Sequence, residues 1–314
     1  MNRPAQFASL ESAVFPPGPL HLAIGIFDGL HLGHQAVIEA AVQSARRSGG
    51  TAAVLTFSPH PSVLFRPEQP TRLIMGPAAE ARVLGRLGVD AVVTQPFTRE
   101  FARIAAEDFV PWLKQRVPQL ATVYVGENWR FGRGRVGDIA LLVAEGKKHG
   151  LRVFSSPRVN FDGVPISSTR IRQLLEAGEI EAANGLFGYT YFAEGTVTPG
   201  KQLGRTLGFP TLNLGWAPDL RPRYGVYEVR VTGAKSAIPL PGVANYGLRP
   251  TVEQATAPRL ETHVLGPCPY DAGDAITVEW LRFLRPERKF SGVEELRAQV
   301  AQDKLVAEKD FFLR

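Results

Sequence analysis

The sequence predicts two domains: residues 1–186 form an α/β domain built on a parallel sheet, and residues 187–314 form a mostly β domain that ends in a helix. Three observations carry this prediction. Short apolar segments alternate with helical segments in the first part, glycine and proline recur every few residues in the second, and helical periodicity returns near the end. With 314 residues, of which 44% are hydrophobic, the chain can fill about two packed cores.

The first domain is predicted from apolar segments that fit strands and from amphipathic segments that fit helices. Strands are expected at His21–Phe27, Ala52–Phe57, Ala91–Thr94, Thr122–Val125 and Leu151–Phe154. Helices are expected at Gln35–Arg47, Ala78–Leu87 and Asp138–His149. Strands and helices in alternation favour a parallel sheet with helices on both faces, and such sheets bind ligands at the carboxyl ends of their strands.

The second domain is predicted to be a small antiparallel barrel or sandwich. Its candidate strands are Phe192–Val197, Gly225–Val231, Arg259–Leu265 and Ala275–Leu284. The last predicted element is a helix over Val293–Val306, with an apolar stripe that consists of Val293, Leu296, Val300 and Val306.

Composition excludes several classes of protein. The single cysteine, Cys268, excludes an intrachain disulfide and a multi-cysteine zinc site, and it fits a reducing compartment. No apolar run is long enough to span a membrane, and residues 1–19 have no continuous apolar core, so we expect no signal peptide, no membrane partner and a cytoplasmic location. The net charge of +6 is spread over both halves, so we expect phosphate-bearing small molecules rather than nucleic acid as partners. The sequence sets no oligomeric state.

Residues 25–34 read Gly-Ile-Phe-Asp-Gly-Leu-His-Leu-Gly-His and join a predicted strand to a predicted helix. Glycines let the backbone approach a phosphate closely, and a helix N-terminus offers free N–H groups. His31 and His34 face the same way on the first turn, where they can donate hydrogen bonds to charge that develops during phosphoryl or nucleotidyl transfer. Zinc is the alternative, with His60 as a third ligand, but the glycines and the preceding strand favour a nucleotide.

Residues 166–172, which read Ile-Ser-Ser-Thr-Arg-Ile-Arg, open a further predicted helix. Hydroxyl groups at a helix start can simply cap its free N–H groups, and Arg170 and Arg172 can lie on a solvated face. Beside the histidine pair, the same arginines can hold the β- and γ-phosphates of a leaving pyrophosphate, because guanidinium groups bind phosphate bidentately.

Two loops that follow predicted strands are candidates for binding an acceptor. Residues 56–61 are stiffened by prolines, and residues 126–135 mix glycine and arginine with Trp129 and Phe131. Aromatic rings among glycines and arginines suggest a ligand with a flat ring and a phosphate. The same mixture fits single-stranded nucleic acid bound by stacking, and Trp129 can equally belong to a packed aromatic loop.

Residues 195–201 match the first part of a P-loop, but Gln202 replaces the hydroxyl that binds magnesium and no helix follows. A P-loop NTPase is therefore excluded. The segment still suits a phosphate, although a flexible barrel loop is the alternative. Its candidate residues are Gly200, Lys201, Gly204, Arg205, Thr206 and Gly208.

Two predicted strands of the second domain carry polar pairs. Thr211 and Asn213 alternate onto one side of an extended strand, and their neutral oxygens suit a magnesium ion that keeps waters and phosphate oxygens. Glu261 and His263 share a face of another strand, where a carboxylate near a phosphate can deprotonate an attacking hydroxyl. Read alone, the second pair also fits the wet face of a barrel.

The H-x-G-H pattern at 31–34 resembles the signature of the nucleotidyltransferase superfamily, and the order of all motifs resembles one bacterial family, the bifunctional riboflavin kinase/FAD synthetases. Its adenylyltransferase module is similar to G-x-F-D-G-x-H-x-G-H at 25–34, T-F-x-P-H-P at 56–61, G-x-N-x-x-F-G at 126–132 and I-S-S-T-R-I-R at 166–172. Its kinase module is similar to G-R-x-L-G-F-P-T-x-N at 204–213, R-Y-G-V-Y at 223–227, G-V-A-N-Y-G-x-R-P-T at 242–251, E-T-H-V at 261–264 and F-L-R-P-E-x-K-F at 283–290.

The resemblance implies a Rossmann-like nucleotidyltransferase fold for the first domain and a six-stranded Greek-key barrel for the second. It implies that the barrel phosphorylates riboflavin to FMN with ATP and Mg²⁺. It also implies that the first domain adenylylates FMN with ATP to give FAD and pyrophosphate. The expected partners are therefore ATP and the flavins.

The resemblance also implies the residues of both sites. In the adenylyltransferase the catalytic residues are His31, His34 and Arg170. Its ATP site comprises Gly25, Phe27, Asp28, Gly29, His31, His34, Ser167, Ser168, Thr169, Arg170 and Arg172. Its flavin site comprises Phe57, Pro59, His60, Asn128, Arg130, Phe131 and Asp138.

In the kinase, the resemblance makes Glu261 the catalytic base on the ribityl 5′-hydroxyl group and makes Thr211 and Asn213 the magnesium neighbours. The implied ATP site comprises Gly200, Lys201, Gly204, Arg205, Thr206, Gly208, Pro210, Thr211 and Asn213.

Two other functions are compatible with the residues. A nucleotidyltransferase with a different phosphorylated acceptor would not need loops that stack on a tricyclic ring, so flavin binding distinguishes it. A regulatory protein that binds nucleotides or RNA would show steep salt dependence of RNA binding.

Overall fold

The computed structural model describes residues 3–200, 208–248 and 258–313. The chain divides into two compact units, Met1–Ser168 and Thr169–Arg314. The domain boundary that the sequence suggests, at residues 186 and 187, stays a prediction. Within the described residues, no helix combines the length and the hydropathy that a bilayer span requires.

A six-stranded sheet in which every pair of neighbours is parallel forms the centre of the first unit. The strands are β1 (Ala5–Phe7), β2 (Leu20–Ile24), β3 (Thr51–Ser58), β4 (Ala91–Pro96), β5 (Leu120–Gly126) and β6 (Arg152–Ser156). Their order across the sheet is β1-β4-β3-β2-β5-β6. The predicted parallel sheet is thus confirmed, and the short edge strand β1 is an addition to it.

Helices cover both faces of this sheet. They are α1 (Leu32–Ser48), α2 (Pro61–Phe65), α3 (Pro77–Arg86), α4 (Phe109–Arg116) and α5 (Ile139–Lys148). A short hairpin of β7 (Asn160–Phe161) and β8 (Val164–Pro165) follows the sheet. Helix α1 buries Val37, Ile38 and Ala41, and it ends at Gly49, whose φ of 66° is left-handed and favours glycine. Because α1 is capped at both ends, its first turn has a fixed position at the end of β2.

The strand order reverses direction between β2 and β5. From β2 the chain proceeds through β3 and β4 towards one edge, and it then returns to build β5 and β6 on the other side. In such sheets the loops after the two central strands diverge and leave a crevice at the carboxyl ends of those strands. The turn at 25–31 follows β2 and the loop at 127–138 follows β5, so both border this crevice.

In the second unit, six antiparallel strands close into a barrel in the order β10-β13-β12-β11-β14-β9. The strands are β9 (Phe192–Thr198), β10 (Leu212–Leu214), β11 (Gly225–Gly233), β12 (Ser236–Gly247), β13 (Arg259–Val264) and β14 (Ala275–Pro286). Three helices accompany them within the described residues: α6 (Ser168–Ala177), α7 (Ile180–Phe187) and α8 (Val293–Leu313). Of the two architectures that the sequence allowed, the barrel is confirmed.

Aromatic residues fill the barrel. Trp280, Tyr227 and Tyr246 are all fully buried, and the rings of Tyr227 and Trp280 have centroids 4.4 Å apart. Rings of this size fill the interior of a six-stranded barrel, so the polar groups of the strands that can meet a substrate lie outside this core.

The predicted apolar stripe on the last helix is wrong at two of its positions. Val293 and Val306 are exposed, whereas Asp303 and Ala307 of α8 are buried. Asp303 accepts hydrogen bonds from Arg285 of β14, at 2.9 Å from Nε to Oδ1 and 2.7 Å from Nη2 to Oδ2. The helix is therefore attached to the barrel through an ion pair, which a search for apolar periodicity does not detect.

Candidate active sites

The turn at residues 25–31 connects β2 to α1 in a conformation that depends on glycine. Gly29 has a φ of 82°, and Leu30 follows with a φ of 40°. A side chain at Gly25 would come within 3.0 Å of the ring of Phe27. The glycines thus keep the backbone of this turn bare beside the N-terminus of α1, which is the arrangement that binds phosphate.

His31 and His34 form a stacked pair at the start of α1. Their ring centroids are 3.6 Å apart with an angle of 19° between the planes, and Phe27 packs edge-on against His34 at 5.4 Å. His31 is the N-terminal cap of α1, where its Nδ1 accepts a hydrogen bond from the backbone N–H of His34 at 3.3 Å. The structure thus brings together the two histidines that the sequence singles out.

Burial determines the protonation state of His31. The side chain is only 6% exposed, and this burial lowers its pKa to about 4. At neutral pH the ring is therefore uncharged. Since Nδ1 accepts a hydrogen bond, the proton is on Nε2, which is available as a donor to a phosphate oxygen.

Asp28 has a structural contact in addition to its predicted place in the ATP site. Its carboxylate accepts hydrogen bonds from the backbone N–H of Ile74 at 2.9 Å and of Met75 at 3.4 Å. Its carbonyl oxygen accepts a hydrogen bond from the hydroxyl of Ser168 at 2.9 Å. Asp28 therefore connects the turn to the segment before α3 and to Ser168, the last residue of the first unit.

Glu80 is a titratable group near this turn that sequence reasoning missed. Burial, together with the negative charge of Asp28, raises the pKa of Glu80 to about 7. A lone glutamate in the first turn of α3 gives no signal in the sequence, because such residues commonly compensate the helix dipole.

The serine and arginine motif marks the start of α6, as predicted. The helix begins at Ser168, with Ser167 immediately before it. Thr169, Arg170 and Arg172 belong to the second unit. Their predicted role in holding the phosphates of ATP stays a prediction.

The predicted flavin loop after β3 is built around an aromatic cluster. Phe57 packs against Phe101 at 5.3 Å and against Phe97 at 6.0 Å. Pro59 follows, and His60 caps α2, where its Nδ1 accepts a hydrogen bond from the backbone N–H of Ser62 at 3.1 Å. The loop therefore has a fixed shape at the carboxyl end of the sheet.

The loop after β5 uses its rings mainly for packing. Phe131 is 5% exposed and stacks on Trp129, with centroids 4.8 Å apart. Trp129 packs in turn against the core residue Phe109 at 5.7 Å. At Gly132, where φ is 71°, a side chain would come within 2.6 Å of the backbone of Ala106. These contacts support the interpretation of Trp129 as part of a packed aromatic loop.

The polar residues of the same loop lie at its surface. Asn128 is exposed beside Glu127. Arg130 forms an ion pair with Asp138 at 3.5 Å, and the other carboxylate oxygen of Asp138 caps α5 by accepting a hydrogen bond from the N–H of Leu141 at 3.0 Å. Asp138 thus holds both α5 and Arg130 in place.

The zinc alternative finds no third ligand in the part of the chain that the structure describes. Among residues 3–200, 208–248 and 258–313, no three side chains of His, Cys, Asp or Glu come together as a metal-binding group.

In the barrel, Gly200 and Asn213 approach each other closely. A side chain at Gly200 would come within 2.3 Å of the Asn213 amide nitrogen. Asn213 is 8% exposed, and its Oδ1 has no hydrogen-bond partner among the described residues. A buried amide oxygen without a hydrogen-bond partner among the described residues, next to a glycine backbone, fits a magnesium ion or its water shell.

Glu261 lies next to this amide on the adjacent strand, on the same face of the barrel. It is the register partner of Asn213 on β10 and of Asn245 on β12. Asn245 donates a hydrogen bond to Glu287 at 3.3 Å, and burial together with the charge of Glu261 raises the pKa of Glu287. Glu261 therefore lies among two amides and a second carboxylate, and sequence reasoning gave no role to Asn245 or Glu287.

His263 lies on the same face of β13 as Glu261, as the alternation predicted. Its Nδ1 lies 2.8 Å from the carbonyl oxygen of Pro210, and its ring packs edge-on against Phe209. Burial lowers the pKa of His263, so the neutral ring donates to that carbonyl through Nδ1–H. His263 thus holds the segment that leads from Gly208, where φ is 85°, to Thr211.

Four predicted residues of the kinase ATP site, namely Lys201, Gly204, Arg205 and Thr206, lie outside the described residues. Their roles stay predictions. Of the described members, Gly200, Gly208, Pro210 and Thr211 lie between β9 and β10, and Asn213 lies within β10.

Comparison with known protein families gives a match for each unit. Residues 17–170 match the family model described as FAD synthetase, and residues 187–311 match the one described as riboflavin kinase. The order of the two matches is the order that the motifs indicate.

Curated relatives match nearly the whole chain. The bifunctional riboflavin kinase/FMN adenylyltransferase of Escherichia coli (strain K12) is 37% identical over 291 residues, which cover 93% of this chain and 92% of that one. The protein of the same name from Listeria monocytogenes is 36% identical over 294 residues, covering 90% and 89%. The one from Bacillus subtilis is 34% identical over 298 residues, covering 92% of both chains.

A solved structure shares the fold. The crystal structure of a protein named macrolide-efflux protein from Streptococcus pneumoniae superposes with a TM-score of 0.84 at 26% identity, covering 98% of this chain and 99% of that one.

Proposed function

The chain belongs to the bifunctional riboflavin kinase/FMN adenylyltransferase family, and from this premise we propose how its residues perform the two reactions. The enzyme phosphorylates riboflavin to FMN with ATP in the C-terminal half and adenylylates FMN to FAD in the N-terminal half. ATP and flavins are its small-molecule substrates. Its single cysteine, Cys268, fits a cytoplasmic location.

In the adenylyltransferase reaction, a phosphate oxygen of FMN attacks the α-phosphorus of ATP. The bond between that phosphorus and the bridging oxygen to the β-phosphate breaks, and pyrophosphate leaves. Negative charge shifts onto the pyrophosphate, next to the N-terminus of α1. The observation that supports this role is the stacked pair of His31 and His34, because uncharged His31 offers an Nε2–H donor at a helix N-terminus, which is a favourable place for a phosphate.

Arg170 and Arg172 add positive charge to the leaving pyrophosphate in this proposal, as their place in the serine and arginine motif suggests. The loops at 56–61 and 126–138 bind the flavin. Phe57, Pro59, His60, Asn128 and Arg130 border the ring and its phosphate, whereas Phe131 and Asp138 act by fixing the loop, since the first is buried and the second caps α5.

In the kinase reaction, the 5′-hydroxyl oxygen of riboflavin attacks the γ-phosphorus of ATP, and ADP leaves. Glu261 accepts the proton of that hydroxyl. The observation that supports this role is the position of Glu261 opposite Asn213, whose Oδ1 is buried and has no partner among the described residues. A general base next to a phosphate site is the arrangement that phosphoryl transfer requires.

We propose Mg²⁺ as the metal of the kinase site, held by Thr211 and Asn213. When bound, it neutralises charge on the phosphates of ATP. The residues fit this ion because an amide and a hydroxyl supply hard oxygen ligands and leave other positions to water and phosphate.

The proposal is tested by incubating the purified enzyme with riboflavin, ATP and Mg²⁺ and separating the flavins over time. We expect FMN to accumulate first and FAD to follow. If riboflavin is consumed but no FAD forms even with FMN and ATP in excess, the adenylyltransferase assignment is wrong. If added FMN is converted to FAD but riboflavin is not consumed, the kinase assignment is wrong.

A further inference from the structure

A cavity lies in the first unit, away from the turn that carries the histidine pair. It encloses about 510 Å³ between the C-terminal half of α1 and the strands β2, β5 and β6. Because an α-helix rises about 1.5 Å per residue, Arg47 at the cavity lies more than about 20 Å along α1 from His31. The cavity is therefore separate from the candidate adenylyltransferase site.

The floor of the cavity is a polar row that crosses adjacent strands. His21 of β2 is the register partner of Thr122 of β5, and Thr122 is the register partner of Arg152 of β6. Two residues further along, Tyr124 and Phe154 are paired on the same face, with ring centroids 5.5 Å apart. A sheet face that is polar at one row and aromatic at the next offers a ligand both kinds of contact.

The buried histidine of this floor is held by two hydroxyl groups, one from strand β5 and one from helix α1. His21 is 1% exposed, and its two ring nitrogens each lie 2.9 Å from a hydroxyl, that of Tyr124 and that of Ser48. Thr122 is 6% exposed, and its hydroxyl has no hydrogen-bond partner within the described part of the chain. The protein alone therefore leaves one buried polar group of the floor unsatisfied.

The charged side chains that line the cavity are all positive. None of the residues that line it is acidic, whereas Arg47 and Arg152 both line it. Arg47 donates a hydrogen bond to the hydroxyl of Ser44 at 3.2 Å. Burial and then the charges of Arg152 and Arg47 lower the pKa of His21, so the two guanidinium groups produce a positive potential at the buried ring. Such a potential attracts an anion, and guanidinium groups bind phosphate oxygens bidentately.

An exposed ring adjoins the two cations. Phe154 is 43% exposed and rests against Tyr124, so it can cover the flat face of a ligand. The cavity volume lies within the range of small-ligand sites, which is about 300–1,000 Å³. We propose that this cavity binds a phosphorylated small molecule with a planar ring, with the phosphate on Arg47 and Arg152 and the ring on Phe154. Nucleoside phosphates and flavin phosphates share this chemistry.

The proposal is tested by hydrogen–deuterium exchange of the full-length protein, because the location of protection separates this cavity from the two active sites. AMP and FMN are the probes, in separate arms, with riboflavin and inorganic phosphate for comparison. We expect AMP, FMN or both to slow exchange at 40–48 and at 152–156, more than riboflavin or inorganic phosphate does. The arm with the larger effect identifies the source of the ligand. If inorganic phosphate slowed exchange as much as AMP or FMN does, the proposed contact between the ligand ring and Phe154 would be wrong.

The variants are chosen among exposed residues so that folding is retained. The double variant Arg47→Glu/Arg152→Glu is expected to lower the affinity for the probe that gives protection by about tenfold or more, because charge-assisted hydrogen bonds are lost. Phe154→Ala is expected to lower the affinity for that probe but not the affinity for inorganic phosphate. Arg46→Glu on the same helix, whose side chain donates to the carbonyl of Gly88 and does not line the cavity, is the matched control. Absence of protection at both segments, or protection that persists in the double variant, would overturn the proposal.

Discussion

The Nδ1 atom of His31 accepts a hydrogen bond from the backbone N–H of His34, and the rings of the same two residues are stacked at 3.6 Å. One contact caps α1, and the other orients the imidazole of His34. The protonation state of His31 is thereby coupled to the position of His34, since a protonated Nδ1 cannot accept the capping hydrogen bond.

Replacing His34 should affect one reaction and spare the other. His34→Ala removes a donor next to the developing charge of pyrophosphate, so we expect FMN adenylylation to fall by about 10²-fold or more while riboflavin phosphorylation is unchanged. The rates are measured separately, with FMN and with riboflavin as substrate. His149→Ala, at the exposed C-terminal end of α5, is the control and should leave both rates unaltered. A His34→Ala enzyme that makes FAD at the normal rate would remove this residue from the mechanism.

Stability should depend on pH through His31. Its pKa is about 4 in the folded protein and about 6.5 in the unfolded chain, so the unfolded state binds more protons between these values. Stability is therefore fully present above about pH 6.5 and falls as the pH is lowered towards 4. At pH 5 the loss is about 2 kcal/mol, because one pKa unit corresponds to about 1.4 kcal/mol.

Urea unfolding of the wild type and of His31→Asn at pH 7.5 and pH 5 measures this effect. Asparagine can cap the helix but does not titrate, so the variant should lose less stability on acidification than the wild type. An identical loss in the two proteins would show that His31 is not the group responsible.

Replacing Glu261 should have the opposite selectivity. Glu261→Ala removes the base for the 5′-hydroxyl, so riboflavin phosphorylation should fall by about 10²-fold or more while FMN adenylylation is retained. Glu294→Ala, at an exposed position of α8, is the matched control. If both activities fall together in a folded Glu261→Ala protein, the assignment of separate sites is wrong.

Magnesium should be required for phosphorylation, and Asn213 should influence how much is required. After chelation, Mg²⁺ should restore FMN formation and Zn²⁺ should not, because oxygen ligands favour the harder ion. Asn213→Ala should raise the Mg²⁺ concentration for half-maximal phosphorylation by about tenfold. The measurement is a Mg²⁺ titration at saturating ATP. An unchanged titration curve would exclude Asn213 from the metal site, and full turnover with zinc alone would exclude the magnesium assignment.

The ion pair between Arg285 and Asp303 should matter more for stability than a surface pair on the same helix. Asp303 is 5% exposed, so Asp303→Ala leaves the charge of Arg285 partly buried and should lower the free energy of unfolding by about 3 kcal/mol. Glu308→Ala breaks the partly exposed pair with Lys304, at 3.7 Å, and should cost less than about 1 kcal/mol. Urea unfolding of both variants measures the difference, and equal losses would contradict the argument.

Strands and helices with a continuous pattern were predictable. The runs around Leu22, Val54 and Val123 are buried on both faces of the sheet, so they are largely apolar, with His21 and Thr122 as the buried polar exceptions in β2 and β5. Edge strand β1 was not predictable, because it has only three residues, of which two are exposed. Helix α4 was also missed, since its eight residues include a proline and give a short pattern.

The candidate sites divide in the same way. The histidine pair lies within ten consecutive residues, and its contacts follow from helix geometry, so the sequence alone determined it. The row of His21, Thr122 and Arg152, and the neighbourhood of Glu261, Asn245 and Glu287, join residues that are distant along the chain. Only the tertiary structure decided these groupings, because strand register and barrel closure set which side chains meet, and a shift by one residue would turn each of them to the opposite face.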